Sequence, residues 1–97
     1  MSREVVRYVF RDDISRDEVE ATLVLSVMAV TALVGETAVQ IDARCAMDPD
    51  RCMCVIDAGT ETGRSIARVF AGLSTKEFGT EAFVVERVVV PVSPPAA

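Results

Sequence analysis

One segment constrains this chain more than any other, the stretch from Ser15 to Gly35. Ser15 followed by Glu18 has the spacing of a capping box, in which the hydroxyl accepts from the N3 amide and the Glu reaches back to the cap. Ile14 and Val19 stand where a hydrophobic staple closes over the first turn. Asp17, Glu18 and Glu20 place negative charge at the positive end of the helix dipole. Gly35 supplies a left-handed stop. These signals predict a helix over Arg16–Val34, about 28 Å long. From Ala21 to Val34 it carries no charge, and its only polar side chains are Thr22, Ser26 and Thr31. The uncharged run is shorter than the ~20 residues a membrane span needs, so no membrane insertion is expected. A helix with so little polar surface could be buried nearly all round.

The flanking sequence supplies a sheet for it to pack on. Glu4–Phe10 is β-branched and aromatic, which predicts a first strand. Thr37–Met47 alternates: Val39, Ile41, Ala43, Cys45 and Met47 share one face, and Gln40, Asp42 and Arg44 the other. That pattern predicts a half-buried strand. Asp48-Pro49-Asp50 is turn chemistry, and Cys52–Asp57 returns as a third strand. Thr37–Asp57 is thus expected to be a hairpin, with Met47 opposite Cys52 and Cys45 opposite Cys54. Gly59–Gly63 reads as a loop. A second helix follows over Arg64–Phe78, with Ile66, Val69, Phe70 and Leu73 at helical spacing and Gly79 as its stop. Ala82–Val92 reads as the last strand, its end blunted by Pro91. Residues 1–92 make one expected domain, and Ser93–Ala97 a frayed tail.

The element order is β-α-β-β-α-β. With right-handed crossovers this is a split β-α-β, or ferredoxin-like, α+β arrangement. Its antiparallel sheet would be ordered 4-1-3-2, with both helices on one face.

Composition narrows function mainly by exclusion. The 97 residues include no His, which removes Ser-His-Asp triads, Cys-His pairs and the two-His facial triad. A formal charge of −5 offers no overall grip on phosphate backbones. The central strands also lack the aromatics that RNA-binding sheets of this plan display on their open face. No nucleic-acid partner, no cofactor and no catalytic residue is therefore expected. The N-terminus has no signal-peptide layout, and three Cys do not suit a disulfide framework, which points to a cytoplasmic setting.

Three groups of residues could carry chemistry. Cys45, Cys52 and Cys54 fall on one face of the hairpin, where three thiolates could hold zinc or form a redox pair. Buried thiols more often pack as small hydrophobes, and core packing is the preferred reading. Gly59, Thr60, Thr62, Gly63 and Arg64 precede a helix, where backbone amides can bind a phosphate or carboxylate. The competing reading is helix capping by Thr60 or Thr62. The string is one residue short of a nucleotide-binding loop and has Arg64 where that loop carries Lys. Asp12, Asp13, Asp48 and Asp50 are expected at one end of the sheet, where they could attract a divalent cation or simply brace turns.

The remaining signal is apolar excess. The helix face bearing Val24 and Met28 and the strand run Val88, Val89, Val90 exceed what one small core can use. Arg7, central on the open sheet face, is expected between Asp57 and Glu86. The expected function is a small non-enzymatic homodimerising regulatory or adaptor module. An anion-sensing protein or enzyme subunit built on the Gly59–Arg64 loop is the second reading, and a cysteine-based metal or redox protein the third.

Overall fold

The alternation of Val6, Tyr8 and Phe10 with Val5, Arg7 and Val9 organises the fold. In the computed structural model, which describes residues 2–91, this segment is strand β1 (Ser2–Phe10). Helix α1 (Arg16–Val34), helix α2 (Glu36–Asp42), strand β2 (Cys45–Met47), strand β3 (Met53–Asp57), helix α3 (Glu61–Phe78) and strand β4 (Phe83–Pro91) follow. The protein is α+β. Its four strands form one antiparallel sheet, ordered β2-β3-β1-β4. The expected strand end at Val92 and the tail at 93–97 lie outside the described residues.

The core lies on one face of the sheet. Val6, Tyr8 and Phe10 from β1 and Cys54 and Ile56 from β3 meet Val19, Leu23 and Val30 of α1. From α3, Ile66, Ala67 and Phe70 complete it. Aromatic rings bind the layers: Tyr8 meets Phe70 edge-on at 4.9 Å, and Phe10 meets Phe78 at 5.6 Å and Phe83 at 5.1 Å. Such pairs add about 0.5–1.5 kcal/mol each beyond the area they bury.

The largest departure from expectation is at 37–43. This segment is not the first half of a strand but the short helix α2. Its apolar alternation also contains a helical pair, Val39 and Ala43, and these two pack against the core. Ile41, expected on the same face, is instead 64% exposed. The physical reason is pairing. β3 is five residues long, and its ladder with β2 starts at Cys45↔Ile56, next to the Asp57 amide bonded to the Arg44 carbonyl. Beyond that point no strand is available, so the backbone groups of 36–42 satisfy one another in a helical turn.

The hairpin register also differs. Cys45 faces Ile56 and Met47 faces Cys54, a shift of two residues from the expected pairing. Because strand faces repeat every two residues, the shift leaves the expected faces unchanged. It arises because the loop is longer than Asp48–Arg51. The Asp48 carboxylate accepts from the amides of Asp50 and Arg51, and Cys52 stays outside the ladder.

Both ends of α1 and the C-terminus of α3 fall at the expected positions, with different chemistry at the caps of α1. Ser15 caps α1 without a side-chain hydrogen bond, so the capping box is not closed. Gly35 does end α1 at positive φ (92°), but its ψ of 154° is extended. That region is essentially restricted to glycine and turns the chain directly into α2. Helix α3 begins at Glu61, three residues before the expected start at Arg64, because Thr60 caps it.

Candidate functional site

Helix α1 buries Val19, Leu23 and Val30, but it buries two hydroxyl residues with them and leaves large apolar side chains outside. Thr22 and Ser26 are buried, Ser26 completely. Val24, Leu25, Met28 and Leu33 are exposed, Met28 by 61% and Leu33 by 81%. The buried hydroxyls are tolerated because each donates to the carbonyl one turn back. Thr22 Oγ1 reaches Glu18 O at 2.9 Å, and Ser26 Oγ reaches Thr22 O at 2.8 Å. Their small size suits the close packing of α1 on α3. Fully buried Ser74 of α3 has a hydroxyl with no partner among the described residues.

The second apolar surface is on β4. Val88 pairs with Val5 and Val84 with Val9, so both face away from the helices. Val90 shares that open face, while Val89, opposite Glu4, lies on the helix side. Of the five residues expected to self-associate, Val24, Met28, Val89 and Val90 are exposed and Val88 is half-buried. They do not form one patch: α1 covers one face of the sheet, and Val88 and Val90 lie on the other.

Arg7 occupies the middle of this open face. It stands opposite Glu86 across the ladder, yet the two form no ion pair, and its Nε is buried without a partner among the described residues. The expected bracket of Asp57 and Glu86 is therefore corrected. Asp57 is taken by Arg3 at 3.1 Å and by the Gly59 amide at 2.8 Å.

The Gly59–Arg64 segment is a compact helix start. Thr60 Oγ1 accepts from the Gly63 amide at 3.0 Å, and Thr60 O accepts from the Arg64 amide at 3.0 Å. Thr62 is buried. A Cβ at Gly63 would run into the carbonyl oxygen of Asp57, so the first turn of α3 sits on the end of β3 only with glycine there. Gly59, Gly63 and Arg64 thus spend their amides inside the protein. The Arg64 side chain is exposed and makes one long contact, 3.3 Å, to Ala58 O.

The three cysteines are free. Cys54 is fully buried, and burial, with Cys45 nearby, pushes its thiol up to about 12. Burial also raises Cys45 and Cys52. Cys52 Sγ points at Ile14 O, 3.5 Å away. The described residues contain no group of three His, Cys, Asp or Glu side chains placed to hold a metal. Two of the four aspartates act locally: Asp13 pairs with Arg11 at 3.2 Å and Asp48 braces its own loop.

One feature escaped the sequence reading. A groove of about 720 Å³ runs between α3 and the β1–β4 pair. Val6, Tyr8 and Val85 form its floor, and Ala67 and Ala71 its helical wall. Arg64, Arg68 and Arg87 line it with a single acid, Glu4. Tyr8 donates to Ala67 O at 2.9 Å, and burial raises its pKa to about 12, so the phenol stays neutral. The spacing of Arg64 and Arg68, one helical turn apart, was the available signal. No protein-family model matches this chain, and no curated protein is detectably similar to it.

Proposed function

We propose that this chain is a small homodimerising regulatory or adaptor module that acts through protein–protein contacts, without catalysis of its own. The observation that carries this reading is the outer face of α1, where Val24, Leu25, Met28 and Leu33 stand exposed while hydroxyls are buried. Covering such side chains contributes about 1.5–3 kcal/mol each when they become fully buried. The fold itself we read as a ferredoxin-like split β-α-β in which α2 replaces the first part of the second strand. Three unpaired thiols fit a reducing, cytoplasmic setting.

Light scattering at micromolar concentration tests the reading. The expected mass is near twice 10.5 kDa. Val24→Asp with Met28→Asp should return the mass to one chain with the circular dichroism spectrum unchanged. A monomeric wild-type protein contradicts the reading, and so does a dimer indifferent to both substitutions.

A further inference from the structure

We propose that the groove between α3 and the β1–β4 pair binds a small amphiphilic carboxylate, its head held by Arg64, Arg68 and Arg87 and its apolar body lying on the half-exposed Val85, above the buried Val6 and Tyr8. This site is separate from the self-association face of α1.

Charge is the first argument. The protein carries −5 overall and has ten basic residues, yet three of them line one groove against one carboxylate. Arg87 is partly spent on Glu4, 3.2 Å away. Arg68 makes no hydrogen bond or ion pair among the described residues. Arg64 lies in the first turn of α3, where the helix dipole already concentrates positive potential. Glu61 in the same turn offsets part of that potential, and a ligand carboxylate at the groove would add to that offset. Two guanidiniums one turn apart on α3, facing a third on β4, offer forked donors suited to a carboxylate.

The floor supplies the second argument. No helix packs closely over β4, which is held mainly by its ladder with β1. Val85 therefore lies on the helix side of the sheet, opposite Tyr8, and remains half exposed. The tyrosine hydroxyl is spent on Ala67 O and the ring is buried against Phe70, so Tyr8 adds no free polar group to the floor beside Val85. The groove lies within the range of about 300–1,000 Å³ usual for small-molecule sites, and it combines apolar floor with a few convergent polar groups. A bare inorganic anion would leave that floor uncovered, and a neutral amphiphile would leave Arg68 unpaired.

The test is a two-dimensional amide NMR titration of the full chain with sodium octanoate. Parallel titrations use 1-octanol, inorganic phosphate and phosphatidylglycerol vesicles. Octanoate should shift Tyr8, Arg64, Arg68, Val85 and Arg87, and 1-octanol and phosphate should each bind at least about tenfold more weakly. Arg68→Glu should lower octanoate affinity about tenfold, while Arg51→Glu, outside the groove, leaves it unchanged. Glu4→Gln frees Arg87 and should tighten binding, a gain that a merely unfolded variant cannot mimic. Octanol binding as tightly as octanoate overturns the proposal. So do shifts centred on Val24 and Met28, indifference to Arg68→Glu, or binding confined to vesicles.

Discussion

Helices α1 and α3 are nearly equal in length and pack on each other, yet they differ in what they leave outside. α3 places Ile66, Ala67 and Phe70 inward and its charges outward, with a Thr60 cap and Lys76 in its last turn. α1 turns Val19, Leu23 and Val30 inward together with Thr22 and Ser26, and leaves Leu25, Met28 and Leu33 outside. In α3 the hydrophobic stripe decides the inward face. In α1 apolar residues lie all round, so the buried face takes in Thr22 and Ser26 beside Val19, Leu23 and Val30. The outcome is a helix whose stickiest surface is unused within one chain.

The contrast is sharpest at Phe70. Phe70→Ala should cost about 3–5 kcal/mol, read from urea denaturation, because the fully buried ring leaves a cavity under Tyr8 and Phe10. Alkaline pH attacks the same core. Cys54 and Tyr8 have folded pKa values raised from 9.0 and 10.0 to about 12. Their contribution is therefore fully present below pH 9 and is lost as pH climbs from 9 towards 12. The melting temperature should fall over that window, and Cys54→Val should remove the earlier part of the fall.

At Ser26 the comparison can be broken directly. Ser26→Leu makes α1 more apolar, yet it should destabilise by about 1–3 kcal/mol because the buried face has no room. Ser74→Ala removes an unpartnered buried hydroxyl and should stabilise by about 1 kcal/mol. Leu33→Lys, on the outer face, should change unfolding free energy by less than about 0.5 kcal/mol under conditions where the protein is monomeric. A large loss there would mean that the outer face is packed within the chain after all.

Much of the architecture was legible because local signals carried it. The alternation in β1, the stripe in α3 and the glycine at the end of α1 each follow from short-range rules. The segment 37–43 was not legible, since its apolar spacing satisfies both a strand and a helical turn. Only the length of β3 denies it a partner. Among candidate sites, the placement of Val24 and Met28 on an exposed face was readable from the lack of polar residues around them. The groove was not, because Arg64 and Arg68 are far in sequence from Arg87, and only the β1–β4 ladder brings them together.

What the amino-acid order determined by itself is therefore local: which segments alternate, where helices stop, and that no histidine chemistry is available. The tertiary structure decided which face of α1 is inside, which partner 37–43 lacks, and where three guanidiniums converge. The reason is physical. Backbone propensity and capping act within one or two turns, whereas burial and charge convergence depend on neighbours that only the packed sheet and helices bring within reach.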